Sequence, residues 1–267
     1  MKTKIGVGII TCNRPGFFVK CINSMPTIDK LVVVNDGKPY DKTAYESPIN
    51  EIIQHEKNYG VAKSKNDAFK FLLNEGCTDI FICEDDITLS DSRIFDVYIN
   101  TAHKTGILHF NYAFHGNANR DSSGNPITRK ILEYGDSSIC LNKHIVGAFS
   151  YYHREVIEKV GLMNEAYYNG LEHIEHTYEI IKHGFHPPFW WFADIENSYN
   201  YITELDVNLH QSVIRKSFWS KYYNLKNKYI FKSKYGFTPW QIPDTIEDEV
   251  LNSIEKIKIN YNEKNKN

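Results

Sequence analysis

The chain has 267 residues, 42% hydrophobic and 24% charged, enough to bury a sizeable core in one large domain or in one domain with an appendage. Lys and Arg total 31 and Asp and Glu total 33, a formal charge of −2, which excludes a global basic field for nucleic acid or an anionic membrane but leaves room for a local patch. The five cysteines (Cys12, Cys21, Cys77, Cys83, Cys140) contain no CxxC pair, and no run of about eighteen apolar residues exists, so buried thiols, a cytoplasmic location and no transmembrane segment are expected.

In chain order, residues 5–10, 31–34, 51–55 and 79–83 read as buried strands. Residues 17–24 and 61–75 read as helices. The second carries Val61, Ala68, Phe69, Leu72 and Leu73 at helical spacing, and Gly76 stops it. Strands alternating with helices predict parallel pairing through right-handed crossovers, an α/β, Rossmann-like sheet that binds ligands beyond the carboxyl ends of its strands. Residues 106–113 are a further candidate strand. Residues 114–135, rich in Gly, Asn, Ser and Asp, read as a long loop. An extended stretch over 138–150 precedes a short helix over 154–160. Residues 171–183 form a helix with Leu171, Ile174, Tyr178 and Ile181 on one side and Glu172, His173, Glu175, His176 and Glu179 on the others. An aromatic strand or turn follows over 185–194. From Ser212 onward the pattern is helical, with residues 260–267 expected to fray. Arg215, Lys216, Lys221, Lys226, Lys228, Lys232 and Lys234, interleaved with aromatics, make a local basic stretch.

Three segments carry chemistry. In Phe81-Ile82-Cys83-Glu84-Asp85-Asp86-Ile87 a buried strand runs into three carboxylates whose mutual repulsion a divalent cation would relieve. Hard oxygen ligands suit Mg²⁺ or Mn²⁺, and an acidic turn or helix cap is the plainer alternative. In Val32-Val33-Val34-Asn35-Asp36-Gly37 a second strand ends in a carboxylate able to accept hydrogen bonds from a base or ribose, or simply in an ordinary turn. In Asn58-Tyr59-Gly60-Val61-Ala62-Lys63-Ser64-Lys65-Asn66 a turn opens a helix whose N-terminus favours anions, and plain capping would leave the same trace.

Together, in this order, these segments resemble the inverting glycosyltransferases of family 2, and the resemblance spans roughly residues 4 to 220. Gly8-Ile9-Ile10-Thr11-Cys12-Asn13-Arg14 is similar to that family's first strand and Thr-x-Asn-Arg turn. The resemblance implies a GT-A fold, a mixed central sheet flanked by helices over residues 1–211, with a helical C-terminal extension over 212–267. It further implies donor contacts from Thr11, Asn13, Arg14, Asp36, Asn58, Lys63 and Asn66, with Asp36 reading the base. Glu84-Asp85-Asp86 stands where the family has its Asp-x-Asp motif, so Asp86 becomes the metal ligand, with Glu84 and Asp85 facing the donor. Gly147-Ala148-Phe149 and Arg154-Glu155-Val156 resemble the acceptor-side segment. Gly170-Leu171-Glu172-His173-Ile174-Glu175 falls where family members show Glu-Asp-x-Asp, whose Asp is the general base. The departure to Glu-His leaves Glu172 or His173 for that role. Glu172 is favoured as a carboxylate, with His173 orienting it or replacing it. Asn208-Leu209-His210 resembles a segment that supplies a histidine to the metal, and Arg215 or Lys216 would neutralise the departing diphosphate.

The implied reaction is a metal-dependent, inverting displacement that moves a sugar from a nucleotide-sugar, by family habit a UDP-sugar, to a hydroxyl on a glycan or other biopolymer. Rival readings are a nucleotidyltransferase on the same fold, disfavoured by the glycine-poor loop Thr11-Cys12-Asn13-Arg14-Pro15-Gly16, and a glycosyltransferase acting on modified bases in nucleic acid. A zinc hydrolase built on Glu172, His173, Glu175 and His176 lacks the His-Glu-x-x-His order.

Overall fold

The structure, a computed structural model, describes residues 3–41, 48–206 and 220–265. Its centre is a six-stranded sheet of β1 (Ile5–Thr11), β2 (Lys30–Asn35), β3 (Glu51–Gln54), β4 (Asp79–Glu84), β6 (His109–Asn111) and β9 (Phe149–His153), in the order β3-β2-β1-β4-β9-β6. The first four strands run parallel, and β9 is antiparallel to both β4 and β6. Val7, Ile9, Val32, Val34, Ile80 and Ile82 are all buried, as continuous apolar runs must be when both faces of a parallel sheet are covered. Helix α2 (Val61–Asn74) packs on β1 and β2. Helix α1 (Pro15–Asn23) leads from β1 towards β2, and α3 (Ile94–Thr105) lies beyond the short β5 (Ile87–Leu89).

A second, three-stranded antiparallel sheet of β7 (Lys130–Tyr134), β8 (Ser137–Asn142) and β10 (Phe192–Ile195) lies over α3, and β11 (Ile202–Glu204) pairs with β5. The expected loop over 114–135 is therefore only partly a loop. Its last part is β7, because Ile131, Leu132 and Tyr134 pair with β8 across the tight turn at Gly135-Asp136. Of residues 185–194, only the end enters a strand. Helix α3, the longest apolar segment not anticipated from sequence, is stopped by Gly106 in the left-handed region.

After α4 (Arg154–Val160) and α5 (Glu172–Lys182), the chain continues in α6 (Ser220–Tyr235) and α7 (Glu247–Asn265). The boundary expected at 211/212 falls outside the described residues. Val250, Ile254 and Ile257 of α7 join the main core, and the segment 260–265, expected to fray, stays helical because Tyr261 packs beside Gly106 and its hydroxyl meets His103 at 2.5 Å. All five cysteines are free thiols.

Candidate active site

The parallel order places its switch point between β1 and β4, the two neighbours whose crossovers leave in opposite directions, and a crevice there is where such sheets bind ligands. Register brings Ile10 opposite Glu84, so Thr11 and Asp85 emerge side by side, and the Thr11 hydroxyl donates to Asp85 Oδ2 at 2.5 Å. Arg14, at the turn into α1, donates to both Asp85 and Asp86, the latter at 3.0 Å. Tyr40 closes this corner, its hydroxyl 2.9 Å from Thr11 Oγ1 and accepting from the Arg14 backbone N–H at 2.9 Å.

The charges respond to this crowding. Burial pushes Asp85 up to about 7 against the pull of Arg14 and Thr11, with Asp86 and Glu84 raising it further. Arg14 is held protonated: burial opposes its charge, but Asp85 and Asp86 more than offset the cost. The guanidinium thus supplies positive charge of the kind the acidic triplet demands. Asp86 Oδ1 nonetheless remains buried with no hydrogen-bond partner. Such an orphaned carboxylate oxygen is costly and fits a cation ligand. Near it stands His115, absent from the sequence reading, with Nε2 3.9 Å from Asp86 Oδ2 and Nδ1 4.0 Å from Glu204 Oε1. Among the described residues, no three His, Cys, Asp or Glu side chains are arranged to hold a metal. His210 and Arg215 lie outside the described residues.

A second cluster faces this one across Lys65. This lysine is 1% exposed, and its Nζ lies 3.0 Å from Glu84 Oε1, 3.2 Å from Glu172 Oε1 and 3.2 Å from the Gly147 carbonyl. Burial opposes the ammonium charge, but Glu84 and Glu172 raise its pKa above the ordinary lysine value. Glu172 is the first residue of α5, where a carboxylate suits the helix N-terminus, and Leu171 before it takes a left-handed backbone (φ 66°) that any L-residue adopts at a cost. Burial would raise the Glu172 pKa, yet Lys65 and His173 hold it well below the usual carboxylate range. His173 Nδ1 lies 3.0 Å from Glu172 Oε1. The His173 side chain keeps 18% of its surface exposed, against 3% for Glu172. Gly147 admits both partners: a Cβ there would meet Lys65 Nζ at 3.0 Å and the His173 ring at 3.1 Å.

The remaining candidates divide. Asp36 accepts from the backbone N–H groups of Tyr59 and Gly60 at 2.7 and 2.8 Å and meets His55 Nδ1 at 2.6 Å, so its carboxylate pins the turn ahead of α2. Asn13 accepts from the Lys38 N–H at 2.9 Å, and Asn58 accepts from Tyr168 Oη at 2.6 Å, both at the mouth of the β1 corner. Lys63 pairs with Asp67 on its own helix, and Asn66 brackets Met163, donating to its carbonyl at 2.8 Å and accepting from its N–H at 2.9 Å. Neither is bonded to Glu84, Asp85 or Asp86 among the contacts of the described residues. Glu175 and His176 serve elsewhere too, held by Lys234 at 2.6 Å and by the Gly161 carbonyl at 2.9 Å, which dissolves the zinc set. Lys65, read from the sequence only as part of the anion-favouring helix start, carried a further signal. It falls three residues from both Ala62 and Ala68 and four from Phe69, interrupting the buried stripe of α2. His115 and Glu204 had none.

No family model matches the chain. An uncharacterized glycosyltransferase, R363, of Acanthamoeba polyphaga mimivirus is 27% identical over 194 residues, covering 70% of this chain and 71% of that protein. Among solved structures, S. aureus TarS (residues 1–349) superposes with a TM-score of 0.52 at 13% identity, over 96% of this chain and 81% of that one. GalNAc-T7, solved with UDP, GalNAc and Mn²⁺, gives 0.56 at 12% identity, over 97% of this chain and 54% of that one. The chain therefore is homologous to a glycosyltransferase and has the GT-A fold.

Proposed function

We propose that the protein transfers a sugar from a nucleotide-sugar donor to an acceptor hydroxyl, in an inverting, metal-assisted displacement between the Asp85–Asp86 corner and the Glu172–His173 pair. The observation that carries this reading is the pair of acidic clusters joined by buried Lys65 at the switch point of the sheet. Donor and acceptor chemistry would meet where the sheet ends.

The orphaned Asp86 Oδ1 supports a cation there, and Asp86 would hold it with the donor's diphosphate. When bound, Mn²⁺ or Mg²⁺ would supply Lewis-acid stabilisation of the leaving group. His210 and Arg215 keep their sequence-based assignments as second ligand and diphosphate contact. Thr11, Asn13, Arg14 and Asn58 line the donor side, Thr11 and Arg14 by holding Asp85 and Asp86. Asp36 would act on the donor through the Tyr59–Gly60 turn that it fixes. On the acceptor side, the depressed pKa of Glu172 makes it a weak base and a good anchor. His173, more exposed and bonded to that anchor, is the better-placed proton acceptor, so the order favoured from sequence is reversed. The acceptor is a glycan or other hydroxyl-bearing molecule.

Release of nucleoside diphosphate, followed across a panel of nucleotide sugars with and without Mn²⁺, tests the reading. At least one sugar should turn over, and only with the ion. His173→Ala should then lower turnover about a hundredfold or more, leaving donor binding intact. A Glu172→Gln variant that alone showed this pattern would return the base to Glu172. No release from any donor would contradict the proposal.

A further inference from the structure

Helix α6 has two unlike faces. One packs inward: Phe231 is fully buried with Tyr167 and Leu171, and Asn227 donates to the carbonyls of Asn169 and Gly170 at 2.9 and 2.7 Å, tying the helix to the segment that leads into Glu172. The other face carries Leu225, 70% exposed, and Tyr229, 72% exposed, four residues apart and so on one stripe. Trp240, 54% exposed, extends that surface, with Lys228 Nζ 4.7 Å from its ring centroid. By helical spacing Lys221, Lys228 and Lys232 flank one side of the stripe and Lys226 the other. All four are exposed, and none forms a salt bridge among the described residues. In the sequence, no Asp or Glu falls between Asp206 and Asp244, although the whole chain is net acidic. Single exposed apolar residues are ordinary; a row of them framed by lysines that have no salt-bridge partner among the described residues is not.

We propose that this face of α6, with Trp240, docks on an anionic phospholipid surface. The two features answer to the two parts of such a surface. Leu225, Tyr229 and Trp240 gain by entering the boundary between headgroups and acyl chains, and the lysines gain from the anionic headgroups while their stems lie along the apolar stripe. Neither attraction holds a protein alone, and here both share one face. A nucleic acid would use the lysines and could stack on the rings, but it would leave Leu225 in water. Among the described residues no helix is long and apolar enough to cross a membrane, so the helix would lie on the surface. Asn227, on the opposite side of α6, would hold the segment before Glu172 on the face of the helix away from the lipid.

Sedimentation of the full chain with phosphatidylcholine vesicles, with and without phosphatidylserine, tests this independently of any sugar transfer. The protein should partition onto the serine-containing vesicles only, and less at high salt. Partitioning should fall about tenfold or more in Leu225→Ser/Tyr229→Ser, and separately in Lys221→Gln/Lys228→Gln/Lys232→Gln, with the thermal transition unchanged. Should the first variant unfold, the second, on solvated side chains, carries the test. Equal partitioning onto both vesicles would overturn the proposal. So would salt-sensitive binding that survives loss of Leu225 and Tyr229 and is matched on DNA, which would mark a general polyanion patch.

Discussion

Lys65 is the residue on which the two halves of the site depend. A lysine taken out of water gives up hydration worth several kcal/mol and recovers it only through close partners, here Glu84 and Glu172. Replacing it by Met keeps the stem and removes the charge, leaving Glu172 buried beside His173 alone. The folded-state pKa of Glu172 is depressed in the native protein, so its contribution to stability is present above the ordinary Glu range, near 4.3, and is lost as pH falls below it. In Lys65→Met that pKa should rise above the unfolded value, and the sign reverses: stability is then lost as pH rises. Urea unfolding should show Lys65→Met destabilised by about 3–5 kcal/mol at neutral pH and by clearly less near pH 4. An equal loss at both pH values would show that Lys65 fills space and does not balance charge. The sequence carried a trace of this lysine as a charge on an apolar stripe. Its partners, 19 and 107 positions away by number (84 − 65 and 172 − 65), were not legible, because only the sheet brings them together.

At the scale of elements, the turn before α2 is held by an arrangement that glycine alone permits. Gly60 has φ 93° and ψ 165°, a region open in practice only to glycine, and a Cβ there would fall 2.2 Å from the Tyr168 carbonyl, which accepts from the Val61 N–H at 3.0 Å. Gly60→Ala should therefore lower stability by about 1–3 kcal/mol and loosen the contact between the loop that carries Asn58 and the loop that carries Tyr168. A shift in the urea midpoint measures it, and an unchanged midpoint would refute the claim. The strands β1, β2 and β4 and helix α2 were legible because continuous β-branched runs and a single helical stripe leave little choice. Helix α3 was not, since Ile94, Phe95, Tyr98, Ile99 and Ala102 follow an acidic loop that drew attention to chemistry instead. Strand β7 was hidden by the Gly- and Asn-rich segment before it. Its alternation of half-buried and exposed residues is the mark of an edge strand, which sequence hydrophobicity shows weakly.

For the whole molecule, the parallel order β3-β2-β1-β4 gathers the ends of strands far apart in sequence into one crevice, and the antiparallel β9 brings Gly147 to the same edge. That gathering followed from the βαβ pattern. What did not follow was which polar residues would turn inward: Lys63 pairs with Asp67 on its own helix, whereas the side chains of Lys65, Asn66, His115 and Glu204 are buried. The proposed chemistry requires the corner formed by Arg14, Asp85 and Asp86 to take a divalent cation together with a nucleoside diphosphate. Calorimetric titration of UDP and GDP into the protein, with Mn²⁺ or with chelator, tests it most directly. One of the two should bind only in the presence of the ion, and Asp86→Ala should weaken this binding at least about tenfold, the order expected for loss of a charged ligand contact. Binding of neither nucleotide, or binding indifferent to both the ion and Asp86, would contradict it.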